Sequence, residues 1–160
     1  MKEIEHITTF IVYDTVDELS SDDNSLLDTA IKMRDTAYAP YSNFNVGAAI
    51  LLANNEIVTG NNQENAAYPS GMCAERVAVY SAGALYPGVP IIKIAISASS
   101  SNKIIDKPVG PCGSCRQAIA EYEFKQESPI QLLFMGEKGK IIKTNSLKDL
   151  LPLSFDKSFL

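Results

Sequence analysis

All three cysteines of the chain stand in two short segments, Cys73-Ala74-Glu75 and Pro111-Cys112-Gly113-Ser114-Cys115. No other feature restricts the fold as much. Positions i and i+3 share one face of a helix, so Cys112 and Cys115 can bite one metal ion from the first turn of a helix that opens after Pro111. Positions i and i+2 do not share a face. Cys73 and Glu75 therefore reach one point only if Cys73 sits at a helix tip, and Pro69-Ser70-Gly71 supply turn residues just ahead of it. A fold that uses the three thiols together has to bring two helix N-termini against each other.

Three thiolates can hold a zinc ion and leave its fourth tetrahedral position open to water. A carboxylate beside that water can move protons. The spacing resembles the signature of hydrolytic zinc deaminases that act at C4 of cytosine, in which the Glu is an acid/base and not a ligand. Three plainer readings compete with it. A cysteine is often only a small buried hydrophobe, and Cys-x-x-Cys at a helix start also serves as a redox pair. The three thiols could also form a closed structural zinc site, but that needs a fourth ligand. There is no fourth Cys, and the only histidine, His6, is remote in the chain. A redox pair has no use for Cys73-Ala74-Glu75. Three thiolates and a divalent ion sum to a single negative charge, which helix N-termini offset. Arg76 and Arg116 each follow a ligand motif by one residue. Either could donate to thiolate sulfur, or simply lie in solvent as a helix arginine.

Composition narrows the partners. The 160 residues fit a single domain, 1–160, and a 46% hydrophobic content is enough to bury a core. The net charge is −5, with no Lys/Arg cluster. This argues against a nucleic-acid partner and for a small neutral substrate. No apolar run approaches the roughly 20 residues of a membrane span, so no membrane partner is expected. Met1 to His6 is too polar for a secretory leader, and three cysteines suit a reducing, cytoplasmic compartment.

Residues 7–13, rich in β-branched and aromatic types, read as a strand. Leu26, Leu27, Ala30, Ile31, Met33 and Ala37 recur at near-helical spacing and predict a helix over 23–37, stopped by Pro40. Residues 44–53 and 56–60 read as strands joined by a two-residue loop at Asn54-Asn55. Helices are expected over 73–85 and 112–123, and a strand buried on both faces over 91–98. Strands at 130–135 and 140–143 flank a Gly136–Gly139 turn, and 146–150 is a short helix. The order β-α-β-β-α-β-α-β-β predicts an α/β fold with helices on a mixed sheet.

The residues also resemble a known family. The matching segments are Ala39-Pro40-Tyr41-Ser42-Asn43-Phe44, Val46-Gly47-Ala48-Ala49, Asn62-Gln63-Glu64-Asn65-Ala66, Tyr68-Pro69, Cys73-Ala74-Glu75-Arg76, Pro111-Cys112-Gly113-Ser114-Cys115-Arg116-Gln117 and Leu150-Leu151-Pro152. In this order they resemble the cytidine deaminases, small zinc enzymes that convert cytidine and 2′-deoxycytidine to uridine and 2′-deoxyuridine in pyrimidine salvage. The resemblance covers about residues 25–155 and leaves 1–22 as an N-terminal extension. It implies a three-layer α-β-α fold on a mixed five-stranded sheet. It also implies one zinc per chain on Cys73, Cys112 and Cys115, with Glu75 as acid/base and Arg76 offsetting thiolate charge. Phe44 would pack on the pyrimidine, the backbone of Ala74 would meet the base, and Asn62 and Glu64 would grip the ribose. The family is typically homotetrameric, with Tyr68 and Phe155 candidates for contacts to a neighbouring subunit's site. Two rivals remain: a deaminase of the same fold acting on another cytosine compound such as blasticidin S, and a non-catalytic zinc-stabilised binding protein.

Overall fold

The apolar run expected to be buried on both faces forms a central strand of one sheet in the computed structural model, which describes residues 1–160. The elements in chain order are β1 (Ile11–Tyr13), α1 (Ser21–Arg34), β2 (Phe44–Leu52), β3 (Ile57–Asn61), α2 (Ala74–Leu85), β4 (Ile91–Ser100), α3 (Gly113–Gln126), β5 (Gln131–Met135) and β6 (Ile141–Thr144). The sheet order is β1-β6-β5-β4-β2-β3. The β4–β5 pair is parallel, with α3 as its crossover, and the other pairs are antiparallel.

Side chains alternate across a strand, and this sorts the core into two layers. Ala48, Ile50 and Leu52 of β2, Ile94 and Ile96 of β4, and Leu132 and Phe134 of β5 face α2 and α3. The intervening Ala49, Ala95, Leu133 and Met135 meet Leu26, Leu27 and Ala30 of α1 on the other side. The α1 face holds the smaller residues near its contact, so α1 approaches the sheet closely. A Cβ at Gly47 would lie 2.0 Å from the Ala30 carbonyl oxygen, so only glycine fits there.

The six strands read from the residues all join one sheet, where the family resemblance implied five. The N-terminal segment adds β1 alongside β6, and Lys140 pairs with Asp14 at 2.8 Å beside it. An unpaired edge is a template for other chains, and β1 covers this one. The strand is also shorter than the predicted 7–13. Ile11–Tyr13 pair with Lys143–Ile141, but past Thr144 the chain enters a 3₁₀ turn at Leu147–Asp149, capped reciprocally by Ser146 and Asp149. The ladder has no partner beyond that point.

α1 stops at Arg34 instead of reaching residue 37. The Met33 carbonyl accepts from the Thr36 hydroxyl at 3.0 Å and the Asn61 amide at 3.2 Å, which replaces another helical turn. The β2–β3 loop is Ala53-Asn54-Asn55, one residue longer than expected, with Leu52 N donating to Glu56 O at 3.0 Å. Asn55 takes the left-handed conformation, φ 66°, that such three-residue loops need.

Asp23, in the first turn of α1, is 2% exposed and accepts from both Lys93 of β4 and Lys143 of β6, the latter at 2.8 Å. Burial works against its ionisation, but the Lys143 and Lys93 hydrogen bonds and charges outweigh it and hold its pKa below the usual value. Asp23→Asn leaves two mostly buried ammonium groups unpaired and should cost about 3–5 kcal/mol at neutral pH. A depressed pKa adds stability above the ordinary carboxylate range and loses it as pH falls through the folded-state value. Urea midpoints of the two proteins should therefore differ widely at pH 7 and converge in acid. A gap independent of pH would show that the charge of Asp23 does not matter.

Candidate active site

The two cysteine segments open α2 and α3. Cys73 is the N-cap of α2, and Cys112 is the N-cap of α3 with Cys115 one turn in. The first turn of α2 rests on β3 at Gly60, where a Cβ would lie 2.6 Å from both Ala74 O and Ala78 N. Ala74 and Ala78 are fully buried. Close helix–strand contact at this glycine sets the height of Cys73 and Glu75 above the sheet.

The three sulfurs converge. Cys73 Sγ lies 3.9 Å from Cys112 Sγ, and Cys112 Sγ lies 3.5 Å from Cys115 Sγ. All three lie within 4.8 Å of one another. Zinc–sulfur bonds of about 2.3 Å in tetrahedral geometry place sulfurs about 3.8 Å apart, close to the two separations above, so this donor set fits zinc. No fourth Cys, His, Asp or Glu joins the group. His6 is exposed and borders a groove formed by Phe124, Lys148, residues 151–154 and Asp156.

Charge at the site is arranged around Cys73. A hydrogen bond from Cys115, opposed by burial and reinforced by Arg76, brings the Cys73 thiol down to about 5. Arg76 Nη2 stands 3.7 Å from Cys73 Sγ. Cys115 is fully buried and held well above the ordinary thiol value by its hydrogen bond to Cys73 and by burial. Glu75 is 5% exposed. Burial pushes its carboxyl up, and the charge of Cys73 acts in the same direction. Arg116 does not address sulfur and does not lie free. Its Nε donates to Pro111 O at 2.8 Å and its Nη1 to Leu150 O at 2.9 Å, which ties the ligand loop to the C-terminal tail.

Beside the thiols lies an open cleft of about 440 Å³, bordered by Tyr41, Ser42, Asn62, Glu64, Tyr68, Cys73 and Arg76 among others. Asn62 and Glu64 lie just beyond β3, which ends at Asn61. The Asn62 amide is partly spent: Oδ1 accepts from Val46 N at 2.7 Å and Nδ2 donates to Phe44 O at 2.9 Å, leaving one N–H. Phe44 borders an adjoining groove with residues 103–109 and is not part of the cleft wall. Tyr68 is 78% exposed and meets Tyr41 edge-on at 6.4 Å. Phe155 is outside the cleft. Its carbonyl accepts from Gln117 Nε2 at 3.0 Å, and its exposed ring stacks on Phe159.

Sequence reasoning gave no separate role to Tyr41, Ser42, Gln63 or Met72, which all border the cleft. Their signal was present, because they lie inside or beside the segments that carry the resemblance. Polar turn residues of this kind do not reveal their partners without the third dimension.

Residues 20–128 match the model of the family described as the cytidine and deoxycytidylate deaminase zinc-binding region. A cytidine deaminase of Sporosarcina psychrophila is 41% identical over 137 residues, covering 85% of this chain and 93% of its own. One of Halalkalibacterium halodurans is 36% identical over 135 residues, covering 84% and 94%. Among solved structures, the cytidine deaminase from Burkholderia pseudomallei aligns with a TM-score of 0.72 at 34% identity, over 86% of this chain and 100% of that one.

Proposed function

The chain belongs to the cytidine and deoxycytidylate deaminase family, and from that premise we propose that it hydrolyses cytidine and 2′-deoxycytidine to uridine and 2′-deoxyuridine, releasing ammonia. The observation that carries this reading is the three-sulfur cluster at two helix N-termini with buried Glu75 beside it. Cys73, Cys112 and Cys115 hold one zinc ion per chain. When bound, zinc supplies a Lewis acid that makes water a nucleophile at neutral pH.

The remaining work falls to the chain's own side chains. In its protonated form Glu75, whose carboxyl burial pushes up, gives a proton to N3 of the base and makes C4 more electrophilic. It then carries the water's proton to the departing ammonia. A carboxyl with a raised pKa is matched to this task near neutral pH. Arg76 offsets the excess negative charge at Cys73. The backbone of Ala74 meets the base and the ring of Phe44 packs on it, while Glu64 and the free N–H of Asn62 bind the ribose. A ribose grip of this kind favours ordinary nucleosides over blasticidin S, and a buried proton carrier favours an enzyme over a structural zinc protein.

Exposed Tyr68 and Phe155 suit a homotetramer in which neighbours complete each site. No helix is long and apolar enough to cross a membrane, and we place the enzyme in cytoplasmic pyrimidine salvage.

Ammonia release from cytidine, 2′-deoxycytidine, cytosine and blasticidin S by zinc-loaded protein tests the reading. Turnover of the two nucleosides is expected, and activity confined to blasticidin S would overturn the assignment. In the same assay Glu64→Ala should lower kcat/KM for cytidine by about tenfold or more, since a hydrogen bond to a charged group contributes roughly 1.5–3 kcal/mol, and affect cytosine much less. Equal losses would remove Glu64 from the sugar site.

A further inference from the structure

Glu64 does not swing freely in the cleft. Its Oε2 accepts from Tyr41 N at 2.9 Å and Ser42 N at 3.2 Å, and its Oε1 accepts from the Ser42 hydroxyl. That same hydroxyl oxygen accepts from Phe44 N at 3.0 Å. One atom thus joins the carboxylate assigned to the sugar and the backbone of the aromatic assigned to the base. The Ser42 hydroxyl, with the Tyr41 and Ser42 amides, also holds the Glu64 carboxyl below its usual range.

The turn that carries Ser42 is itself anchored. Asn43 adopts the left-handed region at φ 55°. Its N–H donates to Ala39 O at 3.0 Å, and its carbonyl accepts from Ser101 N at 3.1 Å. Asn102 Nδ2 donates to Ser42 O at 3.2 Å, which fastens the turn to the segment just past β4. On the other side Asn62 clamps Phe44 O and Val46 N. The hydroxyl is therefore a fixed point in an otherwise open, solvent-exposed cleft. A solvent-exposed glutamate gives up side-chain freedom when it binds a ligand, and a group already held in its binding rotamer gives up less.

We propose that Ser42 is a positioning residue for nucleoside binding: its hydroxyl holds the Glu64 carboxylate toward the sugar. This rests on Glu64 being a ribose contact. Ser42 touches no reacting atom, so its effect belongs in KM and depends on the sugar hydroxyls of the substrate.

The test compares cytidine with 2′,3′-dideoxycytidine on zinc-loaded native protein, Ser42→Ala, Ser42→Thr, Glu64→Ala and the Ser42→Ala/Glu64→Ala double variant. Ser42→Ala should raise KM for cytidine about tenfold, the scale of one charge-assisted hydrogen bond, with kcat within about twofold. The dideoxy substrate should change by no more than about twofold, since it lacks the 2′- and 3′-hydroxyls of the ribose that Glu64 is taken to bind. Ser42→Thr, which keeps the donor, should restore most of the loss. The double variant should be no worse than Glu64→Ala alone, because Ser42 acts through that carboxylate. Equal losses on both substrates, or additive losses in the double variant, overturn the proposal. If Glu64→Ala itself affects both substrates equally, the sugar-contact reading fails first, and the role of Ser42 fails with it.

Discussion

Glu75→Gln lowers kcat by about 10² to 10⁴, the usual worth of a positioned acid–base group, while zinc content and melting temperature stay near those of the native protein. The expectation follows from the local physics. Glu75 is 5% exposed and its carboxyl is pushed up by burial, so burial favours a neutral side chain of this volume and charge at this position. Glutamine preserves both and keeps a hydrogen-bonding amide, but it cannot release and take back a proton. Packing under α2 is untouched, because Ala74, Ala78 and Val79 form that contact. Steady-state rates and zinc analysis on the same preparation check it. A variant turning over near the native rate with full zinc would mean that the protons travel by another route.

Cys112→Ala abolishes both bound zinc and deamination, and it lowers the melting temperature. Among the three thiols Cys112 is the exposed one, whereas Cys115 is fully buried. Its removal therefore takes away a ligand with little lost packing. Ligand binding to the native state alone stabilises by RT ln(1 + [L]/Kd), about 4 kcal/mol at a thousandfold the Kd. For a domain of this size each kcal/mol shifts the midpoint by about 2–4 °C, so a drop of about 10 °C is the scale to expect. Chelator-treated native protein should melt where the variant melts. Stoichiometric zinc in Cys112→Ala, or a native midpoint indifferent to chelation, would detach the metal from these residues.

Much of the molecule was legible in its residues, and particular elements show why. The continuous apolar run of β4 announced a strand buried on both faces, and the two-layer core follows the alternation of its side chains and those of β2 and β5. The Cys-x-Glu and Pro-Cys-x-x-Cys spacings announced two helix tips, and Cys73 and Cys112 are the N-caps of α2 and α3. Boundaries were less legible where a tertiary contact ended an element. α1 ends at Arg34, where side chains of Thr36 and Asn61 take the Met33 carbonyl, and Asn61 comes from a different strand.

Local chemistry was enough to pick out the three cysteines that cluster, the glutamate buried beside them and the α/β class, because ligand spacing, helix-start signals and strand alternation all act over a few neighbouring positions. Only the tertiary structure decided the pairing of β1 with the β6 edge, the buried pairing of Asp23 with Lys93 and Lys143, the backbone anchoring of Arg116 and the latch between Ser42 and Glu64. Each of these joins segments between 5 and 132 positions apart or makes a side chain choose among several available partners. Side chains such as Arg, Asp, Ser and Glu can hydrogen-bond in many directions, so composition and spacing leave their partners open until the chain has folded and packing has selected among them.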